Sequence, residues 1–246
     1  MRLGDLTTSD ARALSGHAVL QPVGSVEPHG PHLPLSTDSI ISEAAAERAV
    51  IVLGERGVTA RVAPTIPYGV TDFASGFPGA VSVAADALTA FLRAIATAHL
   101  AAGARHVCLV NNHLEPAHDA AVRAAISDFD DGRASVACPL TRRWARTLSA
   151  EFKSGACHAG RYETSLVLAS RPDLVRGEAA RGLAPVPISL SDGIRAGKHT
   201  FREMGMSEAY SGAPAEATAA EGEEQLALLA EMIATEVTES LARLAR

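Results

Sequence analysis

Between Gln21 and Asp38 the chain reads QPVGSVEPHGPHLPLSTD, and no regular helix can run through it. Pro28, Pro31 and Pro34 fix φ and remove backbone donors, while Gly24 and Gly30 loosen the chain between them. Just before, Val19, Leu20 and Val23 make an apolar run that predicts a buried strand ending near Gly24. The polar side chains that follow, Glu27, His29, His32 and Asp38, therefore fall on a stiff loop at a strand's end. Closing a turn requires none of them. Carboxylates and imidazoles gathered in this way are the ingredients of a divalent-metal site, although a solvated surface loop uses the same residue types.

A second stretch, His106 to His118, reads HVCLVNNHLEPAH. Val107 to Val110 is apolar and rich in β-branched residues and follows the helix stop at Gly103, which predicts a buried strand of a βαβ unit. Asn111, Asn112, His113 and Glu115 lie just past its end. Open α/β sheets bind ligands outside the carboxyl ends of their strands, so the two polar clusters are expected to meet at one sheet edge. A third stretch, HAGRYETS from His158 to Ser165, sits on a Gly-flanked loop leading into a helix.

In order and spacing, GSVEPHGPHLPLSTD, NNHLE and HAGRYETS resemble the motifs of the creatininase (creatinine amidohydrolase) family. The resemblance runs through Ser165 and thins beyond it. It implies a two-metal hydrolase site in which Glu27, Asp38 and His113 hold one ion and His29, Asp38 and Glu115 the other, with Asp38 bridging. His158 matches a catalytic histidine. His32 would orient a ligand from behind, and Glu163 would either do the same or replace Glu115 as a ligand; the presence of Glu115 favours Glu115. Two divalent ions ~3.5–4 Å apart can hold a hydroxide and polarise a scissile carbonyl. An oxygen and imidazole donor set without thiolate suits Zn²⁺ or Mn²⁺, and His158 could carry a proton to the leaving nitrogen. Family members cleave C–N bonds in cyclic amides and formamides, in one branch at peptide ends, and assemble as hexamers. The expected activity is hydrolysis of an amide, lactam or formamide in a small polar molecule by a homo-oligomer. Creatinine amidohydrolase proper, the peptidase-like branch and a non-catalytic metal-binding protein on the same fold are the alternatives. Leu114 stands where the creatinine enzyme has an aromatic residue, and Trp144 is the only tryptophan, so creatinine is expected to be a poor substrate.

The remaining sequence places these motifs on one 246-residue α/β domain, a three-layer α/β/α sandwich with a mostly parallel central sheet. Helices are expected over 1–16 (capped by Thr8 or Ser9), 39–53, 83–102, 116–129, 163–169 and 216–246, with another helical segment around Trp144 and strands at 17–23, 58–64, 107–110 and 134–139. Asp38 is a credible N-cap for the helix from Ser39. The Gly- and Pro-rich stretch from Thr65 to Gly79 predicts an irregular loop, with Tyr68, Asp72 and Phe73 as candidates for a pocket wall. Residues 171–215 read as short strands joined by loops. His118 reads as a surface helix residue. A formal charge of −6 without a Lys/Arg block argues against nucleic-acid or anionic-membrane partners. The N-terminus lacks the apolar segment of a signal peptide, and Cys108, Cys138 and Cys157 form no CxxC, so reduced thiols and a cytoplasmic location are expected. A Cys157–His158 nucleophilic pair is disfavoured because adjacent residues rarely face each other. A Rossmann nucleotide site is disfavoured because no GxGxxG follows the first strand.

Overall fold

The apolar run ahead of the Gly/Pro-rich loop forms β1 (Ala18–Val23), and all six of its residues are buried. This computed structural model describes residues 2–11 and 15–244. Three further strands, β2 (Ala60–Val62), β3 (His106–Asn111) and β4 (Ala134–Ala137), complete a parallel sheet of order β2-β1-β3-β4. Val23 pairs with Asn111, so β1 and β3 end at the same level and release their polar loops side by side.

The helices are α1 (Thr8–Ala11), α2 (Thr37–Glu55), α3 (Ala85–Ala101), α4 (Pro116–Ile126), α5 (Arg142–Ala145), α6 (Ala150–Ser154), α7 (Arg161–Ser170), α8 (Gly177–Gly182), α9 (Leu190–Arg195), α10 (Phe201–Met204) and α11 (Ala219–Leu244). Alternation along the strands divides the core. Ala18, Leu20, Cys108 and Val110 point into one cluster with α2, α7 and α11. Val19, Val23, Val107 and Leu109 point into the other with α3 and α4. The result is the α/β/α layering expected from the sequence.

Two local expectations are corrected. Asp38 lies in the first turn of α2, whose N-cap is Ser36, because Pro34 and Thr37 already turn the chain: Thr37 Oγ1 donates to the Pro34 carbonyl at 2.7 Å. Residues 171–215 form short helices rather than strands, and two of them, α9 and α10, are seeded by a local cap. Ser189 Oγ accepts the Asp192 N–H, and Thr200 with Glu203 makes a reciprocal capping box. The only pairing described within this segment is an isolated antiparallel bridge between Val186 and Gly212. The first helix begins at Thr8 and is described to Ala11; its expected continuation over 12–14 and the expected end of α11 at residues 245–246 lie outside the described residues. No described helix is long and apolar enough to cross a membrane.

A third apolar cluster sits apart from the sheet. Phe201, Met204, Met206 and Ala209 pack with Ala74, and Phe73, Phe77, Ile188 and Leu190 lie against them. The 65–79 loop and the 186–212 segment thus share a small core of their own, and Phe73, Leu190 and Phe201 from it line the cavity over the polar loops.

Candidate metal centre

The end of β1 is pressed onto the start of α2. A Cβ on Gly24 would lie 2.6 Å from the Ser39 backbone nitrogen, so only glycine permits this approach. Ser42 Oγ then donates to the Val23 carbonyl (2.8 Å) and accepts the Asn112 N–H (3.2 Å), tying the ends of β1 and β3 to α2. Glu27, His29, Asp38 and His113 converge as a consequence, all 3 % exposed or less. Asp38 faces two imidazoles: its Oδ1 lies 3.3 Å from His29 Nε2 and its Oδ2 3.1 Å from His113 Nδ1. Glu27 Oε1 lies 3.3 Å from His113 Nδ1 and 3.8 Å from both His29 Nε2 and His158 Nδ1.

Each imidazole is anchored from behind. His29 Nδ1 donates to the Glu27 carbonyl (3.1 Å), His113 Nε2 to the Val70 carbonyl (2.6 Å) and His158 Nε2 to the Pro28 carbonyl (3.1 Å). A carbonyl only accepts, so the far nitrogen keeps its proton, and the nitrogen facing the carboxylates is the one that can take a second proton or a cation. Metal-binding histidines are held in this way. The carboxylates are braced too: Ser25 Oγ donates to Asp38 Oδ2 (2.5 Å) and Thr71 Oγ1 to Glu27 Oε2.

The structure brings Glu163 to this cluster and leaves Glu115 outside it. Glu163 Oε2 lies 3.5 Å from His29 Nε2 and accepts the Ala159 N–H at 2.7 Å. Glu115 sits at the turn from the β3 loop into α4, and its carboxylate accepts the N–H groups of Asp72 and Phe73, both at 3.1 Å. Among the described residues, three sets can present ligand atoms within 4.8 Å of one another: Glu27/Asp38/His113, His29/Asp38/Glu163 and Glu27/His29/His158. The first matches one expected ligand set; the second differs from expectation only in Glu163 standing where Glu115 was foreseen. His32 stands behind the cluster, its Nε2 2.8 Å from Thr164 Oγ1.

The electrostatics show how strongly the cluster wants positive charge. Burial would lower the His29 pKa, yet Asp38, Glu163 and Glu27 outweigh it and raise it to about 10. His113 is raised as well, against burial, by Glu27 and Asp38. Burial would raise Glu27, but His113 beside it holds it at about 2. Glu163 is pushed up by burial to about 8 despite His29, and Glu115 by burial to about 7 despite its two N–H donors. Burial and the His29 charge lower His158 to about 4, so it stays neutral near pH 7. His29 Nε2 finds no hydrogen-bond partner among the described atoms although three carboxylates surround it. Three buried carboxylates facing two imidazole nitrogens at these distances fit divalent cations in place of the imidazole protons.

His118 was expected on the surface and is fully buried. Its Nδ1 accepts the Val70 N–H at 3.2 Å, and its ring stands edge-on to His113 at 4.6 Å. The Val70 backbone, through its N–H and its carbonyl, therefore bridges the two rings. The available signal was the spacing: His118 follows Glu115 by three residues in the first turn of a helix leaving the site. Cys157 lines the cavity, but burial pushes its thiol well up, which makes it a poor nucleophile.

A cavity of about 180 Å³ opens over the cluster. Its walls are mostly apolar, with Phe73, Phe152 and Phe201 as the aromatic residues and Leu114 beside Glu115. Phe201 stacks on His158, with centroids 4.3 Å apart. Of the pocket-wall candidates in the 65–79 loop, Phe73 lines the cavity, Asp72 supplies an N–H to Glu115, and Tyr68 lines a separate surface groove. Trp144 lies away from the cavity, with Nε1 donating to Glu236 at 2.6 Å.

The fold and cluster define an α/β protein with side-chain groups able to hold divalent cations at the carboxyl edge of a parallel sheet. The creatinine amidohydrolase family model matches residues 4–237, and the chain belongs to this creatininase family of hydrolases. It is 34 % identical over 227 residues to a mycofactocin precursor peptide peptidase of Mycobacterium tuberculosis H37Rv, covering 89 % of this chain and 84 % of that one. It is 30 % identical over 201 residues to the creatinine amidohydrolase of Pseudomonas putida, covering 70 % and 73 %. A solved structure described as creatininase Mn has the same fold, with a TM-score of 0.77 at 23 % identity over 97 % of this chain and 98 % of that chain.

Proposed function

We propose that the chain is a metal-dependent hydrolase of an amide C–N bond, with two divalent ions, Zn²⁺ or Mn²⁺, held by Glu27/Asp38/His113 and by His29/Asp38/Glu163. The observation that carries this reading is Asp38, whose two oxygens face two differently anchored imidazoles. Divalent ions at these positions would polarise a carbonyl and lower the pKa of a bound water. The protein's own groups do the rest. Ser25, Thr71 and the Ala159 N–H hold the carboxylates in place. His158 Nδ1 is free to take or give a proton at the cavity floor, because its Nε2 proton is committed to Pro28. Glu115, fixed by two backbone N–H groups on the cavity wall, is a second proton carrier.

The apolar walls favour an amide flanked by an apolar group. Two observations speak against creatinine. Leu114 offers no stacking face, and the one tryptophan is occupied by Glu236 far from the site. A peptide-end substrate is the second reading, supported by the identity to the mycofactocin precursor peptide peptidase. Steady-state kinetics of the Zn²⁺- and Mn²⁺-loaded protein on creatinine, a lactam, a formamide and short acyl peptides tests both. Metal-dependent turnover of an apolar amide, with creatinine well below it in kcat/KM, is expected. No turnover of any amide overturns the proposal, and creatinine as best substrate overturns its substrate half.

A further inference from the structure

Polar character is distributed unevenly along the cavity. The floor holds Glu27, Asp38, Glu115 and Glu163, each already paired with an imidazole, a hydroxyl or a backbone N–H. Above them the walls are apolar. At the rim stands Lys153, exposed, the only Lys or Arg lining the cavity among the described residues, and without an ion-pair partner among them. Two surface arginines, by contrast, are paired: Arg143 with Glu239 and Arg161 with Glu221. The backbone that carries Lys153 is fixed. Its neighbour Phe152 is buried on the cavity wall, Ser149 Oγ accepts the Phe152 N–H at 3.2 Å, and Gly155 ends α6 in the left-handed conformation.

We infer that Lys153 selects amides that carry a carboxylate, the simplest class being N-acylated amino acids with an apolar side chain. This inference rests on the amide-hydrolase reading above. The argument is one of sorting. With the floor carboxylates already paired, a ligand anion is attracted by the one uncommitted ammonium at the rim, the only Lys or Arg on this cavity among the described residues. The apolar stretch between them takes the side chain. The scissile amide is thereby turned inward. A lysine suits this task, being a point charge that tolerates varied carboxylate geometry.

Calorimetric binding of N-acetyl-L-phenylalanine and N-acetyl-L-phenylalaninol tests the inference, since the pair differs in carboxylate against hydroxymethyl. Metal-free protein is used first, because a carboxylate can bind a loaded ion directly; metal-loaded protein follows. The acid should bind ~3–10-fold more tightly than the alcohol, and that advantage should shrink as ionic strength rises. Lys153→Met should bring the ratio close to one and Lys153→Arg should preserve most of it. Equal affinities in the native protein, or a ratio untouched by Lys153→Met, overturn the inference. Turnover of the two compounds is read separately. Discrimination in binding without turnover of either leaves Lys153 as assigned and removes the amide-hydrolase reading. Turnover of both at equal affinity does the reverse.

Discussion

Asp38 contacts both imidazoles from one side chain, so its removal touches both proposed ion positions. Asp38→Ala should bring bound metal from about two ions per chain to near zero, as elemental analysis would read. His158→Ala should keep the metal and lose turnover by ~10²–10⁴-fold; equal metal loss in both variants would make His158 a ligand. Glu163 and Glu115 are separated in the same way. Glu163→Gln should cost about one ion per chain, whereas Glu115→Gln should keep the metal complement and lose turnover. The opposite pattern would return Glu115 to the ligand set. Glu27, His29, Asp38 and His113 were legible in the sequence because proline, glycine and strand ends left their loops little freedom. Glu163 was legible only as an alternative to Glu115, because its place depends on how α7 packs on α2 and α11. A spacing of two between His113 and Glu115 likewise does not say which way the chain turns after β3, and that turn aims Glu115 at the Asp72 and Phe73 N–H groups.

Long helices and the two central strands were readable from apolar periodicity, while the short helices of 171–215 were hidden by their Gly, Pro and Ser content. Their caps, S-x-x-D at Ser189 and T-x-x-E at Thr200, were the overlooked signal. Packing between elements overrides local propensity at Gly222 in α11. Alanine there would favour the helix by about 1 kcal/mol. Its Cβ, however, would lie 1.8 Å from the Ser165 backbone oxygen of α7, which cannot yield without moving the helix. Gly222→Ala should therefore destabilise by about 2–3 kcal/mol in denaturant melts, and should weaken metal binding because α7 carries Glu163. A neutral or stabilised variant would show that the helices can separate freely. His106, at the start of β3, is held neutral between the Gly132 carbonyl (2.8 Å) and Ser135 Oγ (2.9 Å), and burial lowers it from 6.5 to about 4. Its folded pKa lies below the unfolded one, so its contribution is present above pH 6.5 and is lost as pH falls toward 4, up to about 3 kcal/mol. Urea melts of His106→Gln should show a shallower acid loss over that window than the native protein; parallel curves would assign the acid sensitivity elsewhere.

Across the whole molecule, the proposed metal centre joins elements that are distant in sequence. Glu27 and His29 follow β1, Asp38 opens α2, His113 follows β3 and Glu163 opens α7, so the cluster links the sheet to the helical layer that holds α11. Without cations, the buried carboxylates are balanced by protons on His29 and His113. The raised His29 pKa carries a sign. Its folded value, about 10, exceeds the unfolded 6.5, so proton-linked stability is complete below pH 6.5 and is lost as pH rises toward 10. Divalent ions displace those protons, and their binding strengthens over the same window. Two ions at a hundredfold excess over Kd would add about 5 kcal/mol, or roughly 10–20 °C in Tm for a chain of this size. Chelation should therefore lower Tm, and the gap between loaded and chelated protein should widen from pH 6.5 to 9. Scanning calorimetry with and without chelator at each pH is the check. A constant gap would mean that His29 and His113 do not carry the balancing protons. No gap at any pH would mean that divalent ions do not bind the folded chain.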